Sequence, residues 1–125
     1  MEYANGGDLA HRIRKMRDRG QMFTEEVILK IFTQICLGIQ ALHSLRIMHR
    51  DLKSANIFLT DENIVKVGDL NVSKLAGKDG LNYTQAGTPY FASPEVWRDK
   101  PYDFKSDIWS LGCIAYEMTA LHLPF

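Results

Sequence analysis

The eight residues around which this chain is organised are His49-Arg50-Asp51-Leu52-Lys53-Ser54-Ala55-Asn56. A long apolar run precedes them and two short β-type runs, residues 57–60 and 64–67, follow them. We therefore predict a loop that leads from a helix into a β-hairpin. Asp69 follows the second β-type run, with Gly68 between them. The loop and this aspartate supply acidic, basic and amide side chains at one end of the hairpin.

These side chains suit the transfer of a phosphoryl group from a nucleotide. Mg2+ prefers oxygen ligands, and Asn56 and Asp69 offer an amide and a carboxylate oxygen. A second carboxylate, Asp51, can orient the attacking hydroxyl group and accept its proton, while Lys53 places a cation near the phosphoryl group. The pattern predicts a magnesium-dependent phosphoryl transferase.

Upstream of the loop, apolar spacing predicts two helices. The first begins after Asp8 and ends at Gly20, and the second, longer one begins after Thr24. The second helix carries apolar residues three and four positions apart, and further ones widen the stripe toward full burial. The stripe consists of Ile28, Ile31, Phe32, Ile35, Ile39 and Leu42, widened by Leu29, Cys36 and Leu37.

Downstream of the hairpin, a long loop precedes two more helices. Residues 70–93 show no sustained periodicity, which is typical of a functional or mobile loop. Ser93 is expected to cap a short helix that runs to about Arg98. A last helix is expected to begin near Ser106, and its apolar residues cover most of its circumference. We predict that this helix is buried on several sides.

The composition is that of an ordinary folded domain. Of 125 residues, 46% are hydrophobic, and 15 basic residues balance 15 acidic ones, so the chain has no global charge for binding nucleic acid.

The nearly uncharged residues 108–118 fall short of the roughly 20 needed to cross a bilayer, so we predict no membrane insertion. Cys36 and Cys113 are separate and lie in apolar contexts, which indicates buried thiols in a reducing compartment.

Two groups of polar side chains have two interpretations each. Arg12, Lys15 and Arg19 recur at helical spacing, and they either hold a phosphate or an acidic substrate or form a solvated helix face. His43, near the end of the long helix, is either a packed or hydrogen-bonded core residue or a metal ligand. The sequence offers no second ligand at a metal-binding spacing from it.

The eight-residue loop and Asp69 together resemble the catalytic loop and metal aspartate of eukaryotic serine/threonine protein kinases. The resemblance implies that Asp51 is the catalytic base, that Lys53 is a catalytic residue on the phosphate, and that Asn56 and Asp69 hold Mg2+. His49 resembles the histidine that packs behind the metal aspartate. The implied cofactors are ATP and Mg2+, and the implied partners are proteins with serine or threonine acceptors.

The resemblance extends in both directions along the chain. Residues 87–95 resemble the substrate-docking loop, which implies a catalytic contact for Thr88. Asp107 resembles the aspartate that braces the backbone of the catalytic loop. Residues 1–9 resemble the hinge that binds adenine, and the resemblance implies four nucleotide-binding positions: Glu2, Ala4, Asp8 and Phe58.

Within the family, the chain resembles the NIMA-related kinases most. The shared features are the hinge Glu-Tyr-Ala-Asn-Gly-Gly-Asp-Leu at residues 2–9, the aromatic Phe58, and Gly68 and Leu70 on either side of the metal aspartate. Asn71 departs from the family, which has glycine there, but asparagine tolerates positive φ better than most residues.

The resemblance also implies a regulatory site. Thr84 stands three residues before Gly87, at a position where related kinases are phosphorylated. Arg50 and Lys74 stand where they would pair with the added phosphate. We expect phosphorylation of Thr84 to raise activity, and the alternative is that Thr84 is an unmodified loop residue.

Residues 1–125 are accordingly expected to form a partial protein kinase domain of the α+β class, from the hinge through the buried helix after the activation segment. It would comprise mainly the helical C-terminal lobe with a short β-hairpin, without the N-terminal lobe and the last helices. The isolated chain would then be inactive, because half of the nucleotide cleft is missing, and would expose an apolar patch.

Three functions are compatible with these features. The first is a fragment of a kinase that transfers the γ-phosphoryl group of ATP to serine and threonine hydroxyls of proteins. The second is a truncated, non-catalytic binding module of pseudokinase type. The third, a small-molecule kinase of similar fold, is disfavoured by Lys53 and by Ser-Pro-Glu at residues 93–95. The resemblance implies an intracellular, cytoplasmic location, with the cytoskeleton or the cilium as candidate sites.

Overall fold

Four α-helices and a two-stranded sheet make up the part of the chain that the structure, a computed structural model, describes, namely residues 5–68 and 89–125. The elements in chain order are α1 (Leu9–Asp18), α2 (Glu25–Ser44), β1 (Ile57–Leu59), β2 (Val65–Val67), α3 (Pro94–Trp97) and α4 (Phe104–Ala120), with 3-10 turns at Ser54–Asn56 and Pro89–Phe91. The predicted combination of several helices with a small hairpin is confirmed.

Side-chain caps fix where the long helices begin. The carboxylate of Asp8 accepts a hydrogen bond from the N–H of His11 (2.8 Å), and the hydroxyl of Thr24 accepts one from Val27 (3.3 Å), as the sequence predicts. α4 begins two residues before the predicted position, because Asp103 forms a reciprocal capping box with Ser106. The short helix α3 is present as predicted, with Ser93 at the N-cap and Pro94 in the first turn, although the Ser93 hydroxyl makes no capping hydrogen bond.

The core lies where α2, the hairpin and α4 meet. α2 buries three isoleucines along one stripe, Ile31, Ile35 and Ile39. Leu29 and Leu37 are 55% and 58% exposed, so the prediction that α2 approaches full burial is wrong. One face of α2 packs against the core, and Leu29 and Leu37 lie beyond that contact, whereas Cys36 is half-buried and packs against the core.

α2 has the length and composition of a membrane-spanning helix. It is 20 residues long and, by these two criteria alone, apolar enough to cross a bilayer. The prediction of no membrane insertion considered residues 108–118 and missed α2. Its isoleucine stripe is buried among residues of α1, β1 and α4, and it contacts β2 and α4. This packing is that of a core helix in a folded domain.

The hairpin is anchored on both sides. Its strands pair in antiparallel fashion, with Phe58 opposite Lys66. The segment before α1 pairs with β1, since the N–H of Gly6 donates to the Leu59 carbonyl and the Leu59 N–H donates to the Gly7 carbonyl, each at 2.8 Å. A Cβ on Gly6 would lie 2.6 Å from the Leu59 carbonyl oxygen, so only glycine allows this approach.

α4 packs on one side only within the described part of the chain. Leu111, Ile114 and Met118 are buried, whereas Ile108 and Trp109 are 50% and 38% exposed. The prediction of burial on several sides is therefore wrong for the described residues. The expected exposed apolar patch is present there, and the Trp109 ring stacks on that of Phe125, with ring centroids 5.8 Å apart.

Candidate active site

Residues 49–56, the polar loop, connect the end of α2 to β1 and carry most of the predicted site. Arg50 has φ of 70°, a left-handed conformation that most side chains avoid. The residues beside it, His49 and Asp51, turn their side chains into the structure, and His49 is fully buried. A strained backbone of this kind persists only where surrounding contacts hold it in place.

Asp107 of α4 supplies those contacts. Its buried carboxylate accepts hydrogen bonds from the backbone N–H groups of His49 (2.9 Å) and Arg50 (3.1 Å). It also accepts from Nε2 of His43 (2.7 Å) and from the hydroxyl of Tyr102 (2.6 Å). The expectation that Asp107 braces the loop backbone is confirmed, and His43 is a hydrogen-bonded core residue.

Tyr102 is a member of this cluster that sequence reasoning missed. Burial and the adjacent Asp107 carboxylate raise the pKa of the Tyr102 phenol, so the hydroxyl stays protonated and donates to Asp107. The available signal was an aromatic residue with a polar end placed five positions before a predicted buried aspartate.

The imidazole of His49 joins the polar loop to the end of the hairpin. Its Nδ1 accepts from the N–H of Asp51 (3.3 Å), and its Nε2 lies 2.9 Å from the Gly68 carbonyl oxygen. The two contacts together assign the ring proton to Nε2. The N–H of Gly68 in turn donates to the Asn56 carbonyl at 2.9 Å. These bonds fix the residue immediately before Asp69 against the loop.

Three predicted catalytic side chains meet in the polar loop. The Asp51 carboxylate lies 3.4 Å from Nζ of Lys53, and both side chains are mostly buried. Nδ2 of Asn56 donates to the carbonyl of Asp51 (2.7 Å) and to its Oδ2 (3.2 Å). The carboxylate is therefore held between a cation and an amide in one orientation.

The buried Asn56 side chain fits the role of an oxygen ligand for Mg2+. Both amide hydrogen bonds go to Asp51, so Oδ1 is the atom that remains for a metal ion. Among the described residues no group of three or more His, Cys, Asp or Glu could hold a metal. A Mg2+ site would thus need further oxygen atoms from Asp69, the nucleotide or water.

Two predicted nucleotide-binding residues are neighbours. Asp8 and Phe58 form an isolated antiparallel bridge, which places the start of α1 beside the middle of β1. The Asp8 carboxylate is engaged in capping α1 through His11. The Phe58 ring lies over Gly68, where a Cβ would stand 2.6 Å from Cε2 of the ring.

The remaining predicted positions lie outside the described residues. They are Glu2, Ala4, Asp69, Asn71, Lys74, Thr84 and Thr88. The proposed regulatory Arg50 is described, is half-buried, and donates its backbone N–H to Asp107.

Gln34 of α2 is a second residue that sequence reasoning missed. Its Nε2 donates to the carbonyl of Asn63 (2.9 Å), and its Oε1 accepts from the N–H of Val65 (3.1 Å). These bonds hold the turn and second strand of the hairpin that leads from Asn56 to Gly68. A polar residue within the apolar stretch of α2 was the available signal.

Comparison with known proteins identifies the family of the chain. The protein kinase domain family matches residues 1–125. The chain is 49% identical over 126 residues to the serine/threonine-protein kinase Nek3 of Mus musculus, and the aligned region covers 100% of this chain and 24% of Nek3. It is 50% identical over 127 residues to Nek5 of Mus musculus, covering 100% of this chain and 20% of that protein. For Nek11 of Homo sapiens the identity is 46% over 125 residues, with 99% and 19% covered.

The chain thus spans between about a fifth and a quarter of the length of these curated relatives. The alignments cover the whole chain, including the residues that the structure leaves undescribed. The predicted resemblance is confirmed, and we conclude that the chain belongs to the protein kinase domain family, with the NIMA-related serine/threonine kinases among its relatives.

Proposed function

We propose that the chain is the central part of a serine/threonine protein kinase that transfers the γ-phosphoryl group of ATP to serine and threonine hydroxyls of proteins. The observation that carries this proposal is the geometry of Asp51, which lies 3.4 Å from Lys53 Nζ and 3.2 Å from Asn56 Nδ2. The similarity to Nek kinases supports the same reaction class.

In this proposal each side chain of the polar loop has one task. Asp51 orients the substrate hydroxyl and accepts its proton as the hydroxyl oxygen bonds to the γ-phosphorus and the bond from that phosphorus to the leaving ADP breaks. Lys53 faces the negative charge that spreads over the transferred phosphoryl group. Because Asp107 holds the loop backbone and Asn56 holds the Asp51 carboxylate, little reorganisation is needed when the substrate arrives.

Protein kinases generally use ATP together with Mg2+. Asn56 and Asp69 would hold the metal ion, which neutralises charge on the phosphates. Glu2, Ala4, Asp8 and Phe58 would line the nucleotide site, with Phe58 closing its floor. Thr88 would contact the loop from the substrate side.

Three further expectations belong to the proposal. The described elements would form most of the helical C-terminal lobe of a two-lobed domain. Phosphorylation of Thr84, paired with Arg50 and Lys74, would raise activity. The protein would be intracellular and cytoplasmic, with cytoskeletal or ciliary association.

The test is a phosphorylation assay on the full-length natural protein with ATP, Mg2+ and a protein acceptor. Asp51→Asn should lower kcat about 10²–10⁴-fold and leave nucleotide binding unchanged, because Asp51 acts on the hydroxyl. Asp99→Asn, an exposed carboxylate, is the matched control and should retain full activity.

The non-catalytic binding module is the second candidate. It is favoured by Asn71, which replaces the family's glycine after the metal aspartate. A wild-type protein that binds protein partners but transfers no phosphoryl group, with or without Asp51, would establish this candidate and contradict the kinase proposal.

A further inference from the structure

The outer face of α1 carries an exposed row of basic side chains. We call His11, Arg14, Lys15 and Arg19 the α1 ridge, and together with Asp18 they line a shallow open depression. Residues 9–20 hold five basic residues and one acidic residue, a net charge of +4 in a chain whose formal charge is zero. Four of the basic residues lie on the ten-residue helix α1, and the fifth, Arg19, is its C-cap.

These cations have no partner within the described part of the chain. Arg14, Lys15 and Arg19 make no side-chain hydrogen bond or ion pair with residues 5–68 and 89–125. Arg12 differs, because its guanidinium donates to the side chain of Asn63 in the hairpin turn. The cluster that the sequence suggested thus divides into a structural arginine and a ridge that faces solvent.

The ridge lies close to the candidate active site. α1 packs against the 3-10 turn Ser54–Asn56 and against β1 through its opposite face. Leu9 and Ile13 on that inner face are buried in the core. A ligand on the ridge would therefore be held on the outer side of the helix that borders the polar loop.

The chemistry of the ridge favours an acidic peptide over other anionic ligands. A membrane-binding helix presents apolar side chains beside its cations, but the large apolar residues Leu9 and Ile13 face the core. Protein surfaces that bind nucleic acid interleave cations with aromatic rings or extend over several secondary-structure elements. The α1 ridge spans only about two helical turns and contains no Phe, Tyr or Trp. Three flexible cations on such a short helix match a few carboxylates spaced along an extended segment.

We propose that the α1 ridge is a docking surface for an acidic segment of a protein substrate. The part of this proposal that concerns a substrate rests on the proposed kinase function. Docking on α1 would raise the effective concentration of the acceptor hydroxyl near Asp51 without contacting the reacting groups. The ridge would then affect substrate affinity and leave the chemical step unchanged.

The first measurement is binding without ATP, using the full-length natural protein at low ionic strength. The probe is a labelled 12-residue peptide with six glutamates, and its counterpart has glutamine at those six positions. The ridge variant Arg14→Gln/Lys15→Gln/Arg19→Gln should bind the acidic peptide about tenfold more weakly. The control Arg46→Gln/Arg98→Gln/Lys100→Gln removes the same number of exposed charges and should stay within about twofold of wild type.

Equal losses in the two triple variants, or equal binding of the glutamine peptide, would overturn the proposal. Tighter binding of phosphatidylserine vesicles or single-stranded DNA than of the acidic peptide, at the same ionic strength, would overturn it as well. The expected preference for the acidic peptide should disappear at high salt.

The second measurement separates this proposal from the kinase function. With an acceptor serine joined to the acidic peptide, the ridge variant should show KM raised about tenfold and kcat unchanged. If binding depends on the ridge but no phosphoryl transfer occurs, the docking surface stands and the proposed function fails. If transfer occurs with the same KM in the wild type and the ridge variant, the function stands and the docking proposal fails.

Discussion

The replacement Asp107→Asn tests how the polar loop is held in place. Four donors converge on this buried carboxylate, with the N–H of His49 and Nε2 of His43 on Oδ2, and the N–H of Arg50 and the Tyr102 hydroxyl on Oδ1. Asparagine keeps the shape but replaces one oxygen by an NH2 group. In either orientation the NH2 group faces one backbone N–H, of His49 or of Arg50. Both groups are donors, so that backbone N–H loses its acceptor.

The cost follows from the number of bonds affected. A buried N–H that loses its acceptor costs about 1–3 kcal/mol, and the remaining bonds weaken because they are no longer charge-assisted. Removing a buried charge offsets part of this loss. We expect the free energy of unfolding to fall by about 2–4 kcal/mol, a large fraction of the roughly 5–15 kcal/mol typical of a domain.

Urea unfolding of the full-length protein, followed by tryptophan fluorescence, measures this change. The transition midpoint should fall by about 1–2 M, since small domains lose roughly 1–3 kcal/mol per molar urea. The surface variant Asp99→Asn serves as the control and should change stability by less than about 0.5 kcal/mol. If Asp107→Asn matches this control, the loop does not depend on the four hydrogen bonds.

Three further replacements probe the surroundings of the site. Burial raises the pKa of Glu117, so the native state holds this proton more tightly than the unfolded state, and stability falls as pH rises through the native pKa. Glu117→Gln should therefore have the same melting temperature as the wild type at roughly pH 4 and a higher melting temperature at pH 7. Equal melting temperatures of the two proteins at both pH values would contradict a raised pKa for Glu117. Gly68→Ala forces a Cβ to within 2.6 Å of the Phe58 ring and should cost about 1–3 kcal/mol in urea unfolding. Adding Phe58→Leu to Gly68→Ala should recover part of that stability loss. If the losses of the two single variants simply add in the double variant, the Phe58 ring is not what the new Cβ meets. Gln34→Leu removes the acceptor of the Val65 N–H, so hydrogen exchange at that amide should accelerate about tenfold, and unchanged exchange would show that the bond is dispensable.

The elements that sequence predicted best are those with local causes. Asp8 and Thr24 cap their helices through contacts three residues away, so the signals lie within one short window. The polar loop could be recognised because its reactive residues lie within six consecutive positions, residues 51–56. For the same reason, the juxtaposition of Asp51, Lys53 and Asn56 was foreseeable from spacing alone.

The elements that sequence predicted poorly depend on distant contacts. The number of neighbours around α2 decides whether Leu29 and Leu37 are covered, and periodicity does not contain that information. Gln34 contacts the hairpin across about 30 residues of chain. Its place within the apolar stretch of α2 marks it as unusual, but no local pattern shows which residues it contacts. Arg12 and Lys15 look alike in sequence, but only Arg12 reaches Asn63.

The distance in sequence between the polar loop and Asp107 also determines the order in which these parts can fold during synthesis. Asp107 lies 58 residues beyond His49, whereas Gln34 and the hairpin are only about half as far apart in the chain. At about 5–20 residues per second, a ribosome needs roughly 3–12 s to add those 58 residues. We expect α2 and the hairpin to associate first on the nascent chain, while the loop waits for α4 to emerge. During that interval the nascent chain would present an unformed active site, which is the period when a chaperone that binds unfolded segments has most opportunity to act.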